Sequence, residues 1–214
     1  SHLWGGVAYF EGAMGSVYTV GSVKATYLAL FNNGQVYYNK ELPQEGFDQI
    51  NTYTQAALYP RWWGTYTYQN GAGVIKLSYT TIPFTLKDGK IFLDMYQKKI
   101  DYIAMPDVDG MKLDGNWCGA GAVSGETACI HFTANGQFQE KGVIKCIEHE
   151  INTAFNSIPE SGEGTYEIKN NSIFFHYKDG FTYQAAFSGL KLQGKDTAPA
   201  AIHLGYSDDV FEKK

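Results

Sequence analysis

The chain has 214 residues, 44% hydrophobic, 15% aromatic and 18% charged, with a formal charge of −5. This composition excludes a disordered polar segment, which lacks the apolar surface needed to offset ordering entropy. The acidic balance excludes a nucleic-acid backbone as main partner, because that binding depends on Lys and Arg displacing counterions.

No apolar run approaches the roughly 18 residues of a membrane-crossing helix, so no membrane span is expected. The 24 glycines and 16 tyrosines against four methionines favour strands and tight turns, since aromatic side chains suit a pleated, half-buried surface. The first residues, Ser1-His2-Leu3, have no signal-peptide form and are compatible with a leader already removed.

In chain order, the first strong signal is Phe31-Asn32-Asn33-Gly34-Gln35-Val36, a strand end, an Asn-Gly turn and a second strand. It recurs as Phe132-Thr133-Ala134-Asn135-Gly136-Gln137-Phe138. Ile50-Asn51-Thr52 then recurs as Ile151-Asn152-Thr153, and Gly64-Thr65-Tyr66 as Gly164-Thr165-Tyr166, at nearly equal spacing. Three collinear matches indicate a duplication.

Each copy reads as a hairpin, a helix and further strands. In the first copy Pro43 suits a first helical turn, Phe47, Ile50, Tyr53 and Ala57 trace an apolar stripe, and Pro60 ends it. In the second copy a helix over 143–155 places Ile144, Ile147, Ile151 and Phe155 on one face. Strands follow over 64–69, 74–79 and 90–94, matched by 164–168, 172–177 and 181–187.

The expected fold is mainly β: two tandem related antiparallel β units, barrel-like or sandwich-like meanders, each with one inserted α-helix and packed with pseudo-two-fold symmetry. A shared barrel and two abutting small sheets both satisfy the need to cover edges. The turn-rich Pro106-Asp107-Val108-Asp109-Gly110 marks the boundary. Residues 1–106 make the first unit, 107–195 the second, and 196–214 a C-terminal extension without a counterpart.

Of the three cysteines, Cys118 and Cys129 fall opposite each other in a symmetric hairpin turning near Val123-Ser124, at disulfide distance for a non-hydrogen-bonded pair. The alternative is two reduced core thiols. A bridge implies an oxidising compartment, hence a secreted or periplasmic protein, and leaves Cys146 unpaired.

Leu113-Asp114-Gly115-Asn116-Trp117 opens the second unit with a Gly-x-Trp element, whose only partner in the first is Leu3-Trp4-Gly5. With the meander and the closing Gly-x-Tyr strand, this resembles the lipocalin-like β domains of secreted bacterial proteins. The resemblance implies a cup with an apolar interior that takes a small ligand. The alternative is that Trp117 plugs the bottom of a β core and has no ligand role. The helix inside each repeat departs from the family's pattern.

The densest aromatic stretch is Tyr59-Pro60-Arg61-Trp62-Trp63-Gly64-Thr65-Tyr66-Thr67-Tyr68, and the second copy has only Glu163-Gly164-Thr165-Tyr166-Glu167-Ile168 in its place. Strand alternation puts Trp62, Tyr66 and Tyr68 on one face and Trp63, Thr65 and Thr67 on the other. Arg61, Trp62, Trp63, Tyr66 and Tyr68 are the candidate ligand-binding residues, because exposed aromatics stack on a sugar or anchor a protein with little entropic loss. Burial of both tryptophans is the competing reading.

Other constellations carry less. Cys146, His149 and Glu150 share a helix face away from the isoleucines, but acidic neighbours raise a thiol pKa. Cys129 and His131 share a strand face without further metal ligands. Asp107 with Asp109 and Glu160 with Glu163 read as turn formers. No nucleophile elbow, phosphate loop or dinucleotide fingerprint is present. The function expected is a non-enzymatic secreted or periplasmic binding protein for a small apolar molecule or glycan, without cofactor or metal. A protein-interaction module and an enzyme with a dispersed site are the alternatives.

Overall fold

The computed structural model describes residues 26–39, 41–43, 45–48, 50–95, 98–103, 108–120, 127–144, 161–190, 201–205 and 210–214. The protein is mainly β and divides into two units: Ser1–Glu41 with Ile50–Met105, and Leu42–Gln49 with Pro106–Lys214.

The first unit is a seven-stranded antiparallel meander in sequential order: β1 (Tyr27–Leu30), β2 (Gln35–Asn39), β3 (Trp63–Gln69), β4 (Ala72–Leu77), β5 (Thr80–Lys87), β6 (Lys90–Met95) and β7 (Lys98–Ile103). Alternation sets its faces. In β5, Ile82 and Phe84 are buried while Thr81, Pro83 and Thr85 are exposed. The inward residues Leu28, Val36, Ile75, Leu77, Ile82, Phe84, Ile91, Leu93 and Tyr102 form the core. Thr26, just before β1, lies 3.0 Å from the Tyr102 hydroxyl on β7, so the sheet curls until its two ends meet.

The second unit is a closed barrel: β8 (Gly115–Ala120), β9 (Thr127–Phe132), β10 (Gln137–Lys141), β11 (Ser161–Lys169), β12 (Ser172–Tyr177), β13 (Thr182–Leu190), β14 (Ala201–Leu204) and β15 (Val210–Lys213). It is an up-and-down meander closed where Glu212 and Lys213 of β15 pair with Cys118 and Trp117 of β8. Closure removes every open edge. Its core includes Trp117, Ile130, Phe132, Phe138, Tyr166, Phe175, Phe187 and Phe211. Cys118 and Cys129 are directly paired on β8 and β9 and are disulfide-bonded.

The duplication is visible atom by atom. Gly34 N donates to Phe31 O and Gly136 N to Thr133 O, both at 3.0 Å, and Tyr66 N donates to Gly34 O as Tyr166 N does to Gly136 O, both at 2.9 Å. The registers agree, with Gln35 opposite Thr65 and Gln137 opposite Thr165. Gly34 and Gly136 have φ of 79° and 87°, the left-handed turn conformation that glycine adopts without steric cost.

Three expectations change. The first copy's helix, α1 (Thr52–Leu58), starts later than the apolar stripe suggested and buries Thr52 and Gln55, while Tyr53 is 64% exposed. Its N-cap is Asn51, whose side chain accepts from Thr54 N at 3.0 Å, which fixes the start there rather than at Pro43. Phe47 is buried and belongs to the second unit, where Leu42–Gln49 lies as a strap. Second, β13 answers β5, not the strand at 90–94. Third, residues after 196 supply β14 and β15, which stand in the sequential positions of β6 and β7 and close the barrel.

In the second copy helix begins at Val143 and Ile144. Its continuation to Phe155, the match at Ile151–Thr153, the Cys146, His149 and Glu150 cluster, Glu160, Asp107 and Leu3-Trp4-Gly5 lie outside the described residues.

Candidate functional site

The aromatic stretch of the first unit forms a tight connection from α1 to β3. Tyr59 N donates to Gln55 O at 2.8 Å at the helix C-terminus, and Trp62 N and Trp63 N both return to Tyr59 O, at 3.0 and 3.1 Å. This turn folds residue 62 back over residue 59. The Tyr59 and Trp62 rings stack, with centroids 5.3 Å apart and planes 12° from parallel. Trp62 is held from behind, because its carbonyl accepts from Tyr38 N at 2.8 Å.

Arg61 stands at the tip of the turn and is exposed. Its guanidinium carbon lies 5.9 Å from the centroid of Tyr79, a residue of the β4–β5 turn that is 56% exposed. The contact is a surface cation–π pair. Tyr53 and Leu58 of α1 are exposed as well.

The other candidates separate from this turn. Trp63 is 2% exposed and packs against Phe31 at 5.4 Å and Tyr37 at 5.1 Å. It is a core residue. The Tyr66 hydroxyl donates to Phe31 O at 3.0 Å, locking the first Asn-Gly turn, and burial raises its pKa above 10.0. Tyr68 stacks on Phe84 at 5.9 Å and lies about 20 Å along the strand from Trp62, at the rise of an extended chain. Arg61 and Trp62 therefore stay together with Tyr59 and Tyr79, while Trp63, Tyr66 and Tyr68 do not join them.

The second copy lacks this surface. The register places Gly162 where Trp62 stands and Glu163 where Trp63 stands, and Glu163 makes an exposed ion pair with Lys178 at 2.6 Å.

The barrel of the second unit carries a buried polar pair that the sequence reading missed. Glu140, 1% exposed, accepts from the Tyr177 hydroxyl at 2.9 Å and from the backbone N–H groups of Val143 and Ile144. The carboxylate thus satisfies the first free amides of the helical turn at 143–144. Burial, and then the Glu140 charge, push the Tyr177 hydroxyl far above 10.0 and keep it a neutral donor. Its sequence signal is faint: Phe138 and Glu140 alternate on one strand face, so a charge falls on the inward side.

Among the described residues, no group of three or more His, Cys, Asp or Glu is placed to hold a metal ion. No described helix is long and apolar enough to cross a membrane. Compared with known proteins, the chain matches no family model, no curated protein and no solved structure.

Proposed function

We propose that the protein is a non-enzymatic binding protein that takes a glycan on the aromatic turn of its first unit. One observation carries this reading: the stacked Tyr59 and Trp62 rings next to the exposed Arg61–Tyr79 pair, present in one copy of a duplicated scaffold and replaced by Gly162 and Glu163 in the other. Planar rings pre-fixed by backbone hydrogen bonds bind the flat face of a sugar with little ordering loss. The disulfide supports an oxidising compartment, and hence a secreted or periplasmic location.

Titration of the full chain with a panel of soluble oligosaccharides, followed by tryptophan fluorescence and calorimetry, tests the reading. Binding that Trp62→Ala weakens is the expected result. A panel that produces neither heat nor a fluorescence change overturns it.

A second reading places a small apolar ligand in the barrel of the second unit. It is favoured by the eight-stranded meander that begins with Gly115-Asn116-Trp117, in keeping with the lipocalin-like resemblance. The indole N–H of Trp117 is also buried without a hydrogen-bond partner among the described residues. Retention of a small molecule through purification, seen by native mass spectrometry, distinguishes this reading from the first. A protein partner seated on the exposed Tyr53 and Leu58 is the remaining alternative, read out by pull-down with Trp62→Ala as control.

A further inference from the structure

Arg61 is the single arginine of the chain; the other sixteen of its 17 basic residues are lysines. Lysine suffices wherever a hydrated point charge is needed, whereas arginine presents a rigid planar fork that matches a carboxylate at two points and stacks on rings. The one position that uses arginine is the tip of the aromatic turn, where its guanidinium lies over Tyr79 and carries no ion pair with a described carboxylate. The contact with the Tyr79 ring uses no N–H group as a donor to a described carboxylate, and the guanidinium has five such donors. The next residue is Trp62, its Cα about 3.8 Å away, with its ring on Tyr59. A sugar bound by stacking here therefore has, one residue along the chain, the one side chain able to meet a carboxylate at two points.

We infer that the ligand of this turn is a hexuronate-containing saccharide, with the pyranose face on the Tyr59–Trp62 stack and the C5 carboxylate on Arg61. The inference rests on the glycan reading and narrows it. A hexuronate suits the pairing of aromatic and arginine because its carboxylate leaves the ring at its edge, so that one sugar residue presents both a flat face and an anion. The protein's net charge of −5 disfavours anions over the molecule as a whole, which makes this selectivity a local property of Arg61.

The test compares tetragalacturonate and a glucuronate-containing tetrasaccharide with their carboxyl methyl esters, which keep the rings and remove the charge, against the full wild-type chain, Arg61→Gln, Arg61→Lys and Trp62→Ala. The expected result is binding of at least one acid about tenfold or more tighter than its ester, as for one charge-assisted pair. Arg61→Gln should abolish that preference, so that acid and ester bind with like affinity, and Arg61→Lys should reduce it. Trp62→Ala should weaken acid and ester alike. Because Arg61 is exposed, its variants should melt with wild type, so lost preference is not lost folding. Equal binding of acids and esters, or a preference that survives Arg61→Gln, overturns the inference and leaves the glycan reading standing. No binding of acid or ester overturns both.

Discussion

Inside the second unit Glu140 accepts a hydrogen bond from the Tyr177 hydroxyl at 2.9 Å, although both residues are buried, at 1% and 5% exposure. A carboxylate is tolerated there because its oxygens are supplied with donors, among them that hydroxyl and the two amides of residues 143 and 144. Tyr177→Phe takes away one donor and should cost about 1–3 kcal/mol. Glu140→Ala strips the acceptor from three donors at once and should cost more. Chemical denaturation of both variants measures the two values, and equal stability of Glu140→Ala and wild type rules out the role given to the carboxylate.

Buried hydroxyls make the fold alkali-sensitive. Burial raises the pKa of Tyr102 and Tyr177 far above the usual 10.0. In the unfolded chain they ionise near 10, so the unfolded state binds fewer protons than the native state above that pH. Stability is thus fully present below pH 10 and should fall above it, by up to about 1.4 kcal/mol per pH unit for each of the two. Urea titrations from pH 8 to 11 show this, and Tyr177→Phe should flatten the alkaline slope.

The strap of the second unit is held by Ser172, whose Oγ accepts from Phe47 N at 2.7 Å and Asp48 N at 2.9 Å. Gly46 has a φ of +76°, and a Cβ there would stand 2.7 Å from Ser172 Oγ and Gln184 Nε2. Ser172→Ala should cost about 1–3 kcal/mol. Gly46→Ala should cost more, through backbone strain and collision together. Both should speed limited proteolysis between residues 42 and 49; unchanged cleavage would show that other contacts hold the strap.

The duplication predicts matched sensitivity. A Cβ at Gly64 would run into the Lys76 carbonyl oxygen, and one at Gly164 into that of His176. Gly64→Ala and Gly164→Ala should therefore both destabilise, each by an amount on the order of 1–3 kcal/mol from overpacking. Thermal melts of the pair check this, and a neutral change in either half would break the equivalence.

The disulfide joins strands that are already paired in register. Removing it with Cys118→Ser and Cys129→Ser should cost about 2–4 kcal/mol by the chain-entropy account. Denaturation with and without reductant should give wild type the same loss.

The turns of this fold were legible because they are fixed by short, local chemistry. Gly34 and Gly136 need a left-handed backbone, and Gly64 and Gly164 meet a neighbouring carbonyl, so the same residues recur. The start of α1 was not legible. Phe47 and Ile50 have helical spacing, but Phe47 belongs to the second unit, its N–H bound by Ser172, and periodicity cannot say which unit a residue joins. The C-terminal strands β14 and β15 match β6 and β7 in sequential position and not in identity, so no shared motif marks them. At the aromatic turn, Trp62 and Trp63 are neighbours in sequence yet end in different environments, and the backbone bonds to Tyr59 O that divide them leave no sequence signature.

The strap also bears on how the duplicated gene can change. Leu42–Gln49 is encoded between β2 and α1 of the first copy yet is counted with the barrel of the second. A crossover anywhere between codons 50 and 105 would part that barrel from residues that complete its surface, supplying Phe47 and the amides bound by Ser172. A half exchanged at such a crossover would leave the barrel without its strap, so the two halves are not interchangeable cassettes.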